Sequence, residues 1–116
     1  MLDKRKFYIN GKWIEPTKKN DFEVINPSNE ESFAVISLGS KADVDLAVKV
    51  SKDTFETWKE TTKEERIKLL ENLLSIYKKR FSEMTEAISK EMGAPIDWSS
   101  SVQNSSGQAH LEDFIV

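Results

Sequence analysis

Apolar and polar positions alternate at the start of the chain, and this pattern predicts β structure. Two apolar runs, at residues 7–9 and 13–14, flank the dipeptide Asn10-Gly11. A two-residue hairpin turn needs positive φ at both central positions, which glycine adopts freely and asparagine tolerates. The sequence therefore predicts a β-hairpin whose tip is Asn10-Gly11.

A second pair of strands follows. Apolar residues alternate with acidic ones at 21–24, and an apolar run occupies 33–36. Between them, residues 26–29 are all turn formers, since proline fixes φ and asparagine can bond its own backbone. We therefore expect two β-hairpins over residues 6–38.

From residue 40 the apolar positions recur at intervals of three and four, which predicts helices. Ser40 followed by Asp43 is typical of a helix start, because the serine oxygen accepts a free backbone amide and the carboxylate favours the positive end of the helix dipole. Apolar residues keep helical spacing to about residue 59. The first helix is predicted at about 41–59.

A second helix is predicted at 63–92. Thr62 and Glu65 have the spacing of a capping box, while Gly93 and Pro95 end the helix. Its apolar positions step by three and four: Ile67, Leu70, Leu74, Tyr77, Phe81, Met84 and Ile88. This face favours packing in a core, and pairing with a partner helix is the alternative.

The last part of the chain predicts a third helix at about 96–116. Residues 99–106 include five serines, which is typical of a linker. One helical face nevertheless comprises Ile96, Ser100, Gln103, Gly107, Leu111 and Phe114. Small residues on that face permit close packing. Residues 114–116 are all apolar, an unusual end for a finished domain, so we expect that the chain is part of a longer polypeptide.

Composition limits the classes of function. The 116 residues suffice for one α+β domain, and the low hydrophobic share of 38% predicts a thin core. A net charge of −3 gives no reason to expect a nucleic-acid partner. No apolar run approaches the roughly 18 residues of a membrane span, and the start is not a secretory signal. We expect no membrane association and a cytoplasmic location.

The residues that could carry chemistry are few. There is no cysteine and one histidine, His110, which excludes Cys–His catalysis and Cys/His zinc sites. The four glycines stand apart and form no phosphate-binding loop. The basic trio 78–80 lies among acidic residues and is interpreted as a solvated face. From the residues alone we predict no catalytic and no cofactor-binding residue.

The order of these features resembles the amino terminus of the aldehyde dehydrogenase superfamily. Residues 7–13 (FYINGKW) are similar to its opening hairpin, and residues 24–30 (VINPSNE) to its Asn-Pro turn. Residues 42–48 and 65–73 resemble the starts of its first two helices, and residues 91–95 (EMGAP) its helix end. The sequence departs from the family pattern at Asn29, Glu30 and Ala94.

The resemblance implies an α/β fold with a Rossmann-type cofactor domain, of which residues 1–116 are the amino-terminal part. It implies oxidation of an aldehyde to a carboxylic acid with NAD or NADP, through a cysteine nucleophile, a glutamate base and an asparagine at the oxyanion. In the family these residues lie beyond the matched region. The chain alone is therefore expected to be inactive. A homodimer or homotetramer is implied, with the rest of the enzyme as the partner of this segment.

The resemblance also implies a site for Na⁺ or K⁺. Many family members hold a monovalent cation through backbone carbonyls before the Asn-Pro turn and a carboxylate at the helix end. By position these are Val24, Ile25 and Glu91. Oxygen ligands suit a hard cation, which would also relieve the unfavourable charge of Glu91 near a helix carboxyl end.

Two other interpretations compete with the hypothesis that this chain is a segment of an enzyme. The chain could be a small non-enzymatic module that pairs its 62–92 helix with another helix, or a truncated product without function. The reading frame after Val116 distinguishes these possibilities, because only the enzyme requires a downstream cysteine and glutamate.

Overall fold

In the computed structural model residues 1–115 are described, and they form an α+β chain, as the sequence predicts. The elements are β1 (Leu2–Lys4), β2 (Phe7–Ile9), β3 (Lys12–Ile14), β4 (Asp21–Asn26), β5 (Glu31–Ser37), α1 (Lys41–Trp58), α2 (Lys63–Lys79), α3 (Phe81–Met92), α4 (Ile96–Trp98), a π-helix (Ser99–Asn104) and α5 (Ser105–Ile115). Two compact units are present. The first contains residues 1–25 and 30–60, and the second contains residues 26–29 and the chain from Thr61 onward.

The first predicted hairpin is confirmed. Strands β2 and β3 pair antiparallel, with Phe7 opposite Ile14 and Tyr8 opposite Trp13. Asn10 has φ 53° and Gly11 has φ 72°, the left-handed conformations that a tight turn between twisted strands requires. The rings of Tyr8 and Trp13 are 5.2 Å apart and both side chains are largely exposed.

The other three strands form a sheet in the order β1-β5-β4. Four residues separate β4 from β5, too few for a parallel crossover, so these neighbours form the second predicted hairpin. Strand β1 pairs parallel with β5, Leu2 opposite Ala34, although the predicted β region began only at residue 6. Three residues reading Leu-Asp-Lys are too short to show alternation, and their pairing partner is distant in sequence.

Helices α1 and α2 begin where the sequence predicts. Thr62 precedes α2 and forms a reciprocal capping box with Glu65, as predicted. Ser40 precedes α1 as the predicted cap, and it too forms a reciprocal box, with Asp43. In each box the hydroxyl oxygen accepts the amide of the third helical residue, while that residue's carboxylate accepts the cap's own amide. Local hydrogen bonding alone therefore fixes where both helices begin.

The predicted single helix at 63–92 is instead two helices separated at Arg80. That residue has φ −105° and ψ 17°, and its amide donates to the carbonyls of Ile76 and Tyr77. No glycine or proline marks the break in the sequence. The carbonyl of Phe81, the next residue, accepts the side-chain amide of Asn104 at 2.7 Å. A contact with a distant segment thus accompanies the change in direction, and local patterning could not reveal it.

Residues 96–115 are helical throughout, passing from α4 through the π-helix into α5. This course matches the third predicted helix, whose last residue, Val116, lies outside the described residues. The expected close packing occurs at Gly107, where an added Cβ would lie 2.5 Å from the hydroxyl oxygen of Tyr77 in α2. Glycine is therefore required for α2 and α5 to approach this closely.

The thin core is evident in the burial of the side chains. Among residues 1–115, Ala34 is the one hydrophobic residue that is buried, with 5% of its surface exposed. The larger apolar side chains on the helices stay substantially exposed, including Val44, Val48, Phe55, Leu69, Leu73 and Ile76. No helix in the described part of the chain is long and apolar enough to span a membrane. Much of the apolar surface of this chain is therefore free to contact other protein.

Candidate functional site

The Asn-Pro turn and the end of α3 lie together in the second unit. The backbone amide of Ser28 donates to the side-chain oxygen of Asn26 at 3.0 Å, and the amide of Asn29 donates to the carbonyl of Asn26 at 3.3 Å. Gly93 ends α3 with φ 70°, as predicted, and a Cβ there would lie 3.2 Å from the ring of Pro27. The left-handed conformation and the close approach of Pro27 both favour glycine at this position.

Each residue of the predicted cation site has a defined place within its own unit. Val24 and Ile25 are consecutive in β4, the first half-buried and the second exposed. Glu91 lies in the last turn of α3 and is exposed. The two carbonyls and the carboxylate belong to different units, and the cation site stays a prediction.

A buried carboxylate organises the first unit. Asp43 is 4% exposed. One of its oxygens accepts the amide and hydroxyl of Thr17 at 2.8 and 2.6 Å, and the other accepts the amide and hydroxyl of Ser40, both at 2.7 Å. The pKa of Asp43 lies far below its ordinary value, because four hydrogen bonds stabilise the charged carboxylate. In order of effect, they come from the hydroxyl of Ser40, the hydroxyl and amide of Thr17, and the amide of Ser40. Sequence analysis identified the helix cap but missed the bonds to Thr17.

A buried amide organises the second unit, and no sequence motif pointed to it. Asn104 is fully buried. Its nitrogen donates to the carbonyl of Phe81 at 2.7 Å and to the hydroxyl oxygen of Thr85 at 2.8 Å, and the hydroxyl of Tyr77 donates to its side-chain oxygen at 2.5 Å. Every polar atom of this side chain therefore has a partner, so the arrangement positions helices and leaves no group free for chemistry.

A surface cavity of about 600 Å³ is lined by Asp3, Lys4, Arg5, Lys6, Trp13 and Glu15. Its charges are already paired, since Arg5 contacts Asp3 at 2.6 Å and Lys6 contacts Glu15 at 3.0 Å. Hydrogen bonds from Arg5 lower the pKa of Asp3 to about 2. A carboxylate so stabilised in its charged form is a poor proton acceptor, so Asp3 is not a candidate general base.

The remaining candidates have structural explanations. His110 is exposed on α5. In the basic trio, Lys78 contacts Glu112 at 2.7 Å and Arg80 contacts Glu83 at 2.9 Å. Both contacts lower the pKa of the carboxyl group involved. These pairs agree with the predicted solvated face.

No side-chain metal site or phosphate cradle is found between residues 1 and 115. Histidine and acidic side chains there form no group of three or more that could hold a metal ion. The glycines are used in the hairpin turn, beside Phe7, in the cap of α3 and against Tyr77. None of these four glycines lies in a loop that could surround a phosphate group.

Comparison with known proteins shows which family this chain is similar to. The pattern of the aldehyde dehydrogenase family matches residues 13–114. A 3-succinoylsemialdehyde-pyridine dehydrogenase from a Pseudomonas species is 42% identical over 96 residues, covering 83% of this chain and 20% of the relative. The chain thus spans about a fifth of that relative's length.

Two solved structures share the fold. An aldehyde dehydrogenase from Bartonella henselae superposes with a TM-score of 0.97 at 51% identity, covering 99% of this chain and 24% of that one. A mutant aldehyde dehydrogenase C from Pseudomonas syringae, solved with NAD⁺ and octanal, superposes with a TM-score of 0.91 at 35% identity. The match covers 93% of this chain and 22% of that one. The chain belongs to the aldehyde dehydrogenase family.

Proposed function

We propose that this chain is the amino-terminal scaffold of an enzyme that oxidises an aldehyde to a carboxylic acid with NAD or NADP. The observation that carries the proposal is the family match over residues 13–114, together with superposition of nearly the whole chain on an aldehyde dehydrogenase. The Pseudomonas syringae relative was solved with NAD⁺ and octanal, which supports NAD as cofactor and an aldehyde as substrate.

In this proposal the segment supplies structure and no catalytic group. The family reaction requires a thiolate nucleophile, and these 116 residues include no cysteine. The cofactor supplies a hydride acceptor, and its binding residues lie outside the segment. What the segment contributes is the Asp43 and Asn104 networks, which fix its helices, and exposed apolar side chains that contact the remainder of the enzyme.

The proposed cation site belongs to the same scaffold. The carbonyls of Val24 and Ile25 and the carboxylate of Glu91 are proposed to bind Na⁺ or K⁺, with further ligands from the remaining chain. The family match supports this, because the resemblance implies such a site at these positions. The complete enzyme is proposed to be a cytoplasmic homodimer or homotetramer.

The reading frame downstream of the Val116 codon provides the first test. We expect several hundred further codons that encode a cysteine and a glutamate. The protein expressed from the whole frame should then reduce NAD⁺ or NADP⁺ when octanal is added, followed through the ultraviolet absorbance of the reduced cofactor. A stop codon after Val116 would overturn the proposal and favour the helix-pairing module or a product without function.

A separate test addresses the cation site. The thermal midpoint of the enzyme should rise when KCl or NaCl replaces choline chloride at equal ionic strength, because the ion binds only the folded state. Glu91→Gln should reduce that rise, whereas Glu86→Gln, which changes another exposed carboxylate of α3, should leave it intact. An equal response in all three proteins would exclude the site without affecting the assignment as a dehydrogenase.

A further inference from the structure

The tip of the β2–β3 hairpin places a reactive pair of residues at the surface. Asn10 and Gly11 are both exposed. The side-chain amide of Asn10 makes no hydrogen bond within residues 1–115, and nothing lies within 4 Å of the position where a Cβ of Gly11 would be. The carboxamide is therefore free to move, and the backbone nitrogen that follows it carries no hindering side chain.

A carboxamide next to an unhindered backbone amide can undergo an intramolecular substitution. The nitrogen of Gly11, after losing its proton to solvent, attacks Cγ of Asn10 and forms a five-membered succinimide. The bond from Cγ to Nδ2 breaks, and Nδ2 leaves as ammonia after taking up a proton. Water then opens the ring at either carbonyl, which yields aspartate or isoaspartate. The net change is one water consumed and one ammonia released, with no oxidation or reduction.

The turn must open for this attack, because its folded geometry holds the backbone in the hairpin conformation. Two features of the structure make opening easy. Strands β2 and β3 have three residues each and form a separate two-stranded sheet, an arrangement of marginal stability. The tip also borders a cavity of about 350 Å³ beside α1, lined by Val50, Ser51, Thr54, Phe55 and Trp58, which admits water. Local opening of such a short, exposed hairpin requires little free energy.

We propose that Asn10-Gly11 is a site of spontaneous deamidation and isoaspartate formation, independent of the enzyme reaction. Aspartate at position 10 adds a negative charge and keeps the turn, since Asp also adopts positive φ. Isoaspartate instead routes the backbone through the side chain and inserts an extra carbon into a two-residue turn. The register that pairs Tyr8 with Trp13 is then lost, because turn length fixes register in a hairpin.

Other asparagines of the chain serve as internal controls. Asn72 is exposed but lies within α2 and precedes Leu73, whose side chain hinders the nucleophilic nitrogen. Asn104 is buried and hydrogen-bonded. Asn26 precedes Pro27, which has no amide proton to lose. Reactivity should therefore concentrate at Asn10.

The experiment follows the purified protein during incubation at neutral and mildly alkaline pH. Trypsin releases Asn10 in peptide 7–12 and Asn72 in peptide 69–78, and mass spectrometry with isoaspartate-sensitive fragmentation measures each product. Conversion of Asn10 should be at least about tenfold faster than that of Asn72, a ratio that corresponds to about 1.4 kcal/mol in activation free energy. It should also accelerate with pH, because the deprotonated amide is the nucleophile.

Two variants sharpen the result. Gly11→Ala adds a side chain beside the attacking nitrogen and should slow conversion about tenfold, again about 1.4 kcal/mol. Asn10→Gln would need a six-membered ring and should abolish it, even if the alanine variant disturbs the hairpin. Equal conversion of Asn10 and Asn72 in the unaltered protein, or conversion of Asn10 at the same rate in Gly11→Ala, would overturn the proposal.

Discussion

Each unit is organised internally by a different kind of polar side chain. In the first, the ionised carboxylate of Asp43 accepts four hydrogen bonds from Thr17 and Ser40. In the second, the neutral amide of Asn104 donates to Phe81 and Thr85 and accepts from Tyr77. Both side chains are buried, while many large apolar residues of the chain remain exposed. Polar networks therefore take a share of the organising role that an apolar core has in a complete domain.

The chemistry of the surrounding groups explains this difference. Asp43 faces only donors, two amides and two hydroxyls, which a carboxylate satisfies and which stabilise its charge. Asn104 faces a carbonyl oxygen as well as hydroxyl groups, so its side chain must donate and accept. Only the carboxylate can lose its role by protonation. The first unit should therefore be sensitive to acid at its network, and the second should not.

The largest expected effect comes from removing the amide in the second unit. Asn104→Ala leaves the carbonyl of Phe81 and the hydroxyls of Tyr77 and Thr85 without this buried partner, at a cost of about 3 kcal/mol. Hydrogen exchange in the complete protein should show faster exchange across α3 and α5, by roughly a hundredfold.

The matched control for that variant is Asn72→Ala, which removes an exposed asparagine from α2. It should leave exchange nearly unchanged. Slow exchange retained in Asn104→Ala would show that the buried amide contributes little and that apolar contacts alone position these helices.

The second prediction concerns the close approach of α5 to α2. Gly107→Ala places a methyl group 2.5 Å from the hydroxyl oxygen of Tyr77, which hydrogen bonds to Asn104 prevent from moving aside. The cost is about 2 kcal/mol, measured as faster hydrogen exchange in α5.

In a Tyr77→Phe background the hydroxyl is absent, so the added methyl group should cost about 1 kcal/mol less. Ser106→Ala, an exposed neighbour, is the control and should be nearly neutral. Strict additivity of Gly107→Ala and Tyr77→Phe would contradict the proposed contact.

The third prediction addresses the charge of Asp43. In Asp43→Asn the new side-chain amide cannot accept from Thr17 and Ser40 at both ends, so exchange at the start of α1 should become roughly tenfold faster. The folded-state pKa of Asp43 is lowered, so its stabilising contribution is complete above the unfolded value of about 3.9 and is lost as pH falls through the folded pKa.

Thermal midpoints measured against pH check this sign. The advantage of the unaltered protein over Asp43→Asn should be constant near neutral pH and shrink below about pH 4. An advantage that persisted unchanged in acid would show that the charge of Asp43 is unimportant. Asn104→Ala measured in parallel should lose the same stability at every pH at which the protein stays folded.

The smallest effects compare the two helix caps. Thr62→Ala removes an exposed cap and should cost about 1 kcal/mol. Ser40→Ala removes an equivalent cap, but its hydroxyl donates to the buried carboxylate of Asp43 at 2.7 Å, whereas that of Thr62 donates to the exposed carboxylate of Glu65 at 3.1 Å, so its loss should be the larger. Exchange of the first-turn amides of α1 and α2 measures both changes. Equal losses would mean that burial of Asp43 does not strengthen its bond with Ser40.

Much of the fold was predictable wherever the interactions are local. The hairpin at Asn10-Gly11, both capping boxes and the cap at Gly93 join residues within a few positions of one another, so their geometry is encoded in short motifs. The family motifs extend that reach, because they identify the family from short segments such as residues 91–95. The predicted cation ligands depend on that resemblance alone.

The sequence by itself determined the order and type of most elements, the helix starts and the family. Tertiary structure alone decided the parallel pairing of β1 with β5, the break at Arg80, and the partners of Asp43 and Asn104. These features join residues far apart in the chain, 26 positions for Thr17 and Asp43 and 23 for Phe81 and Asn104. Periodicity and capping motifs describe neighbours along the chain, whereas a buried hydrogen bond depends on which distant donor and acceptor the folded backbone brings within reach.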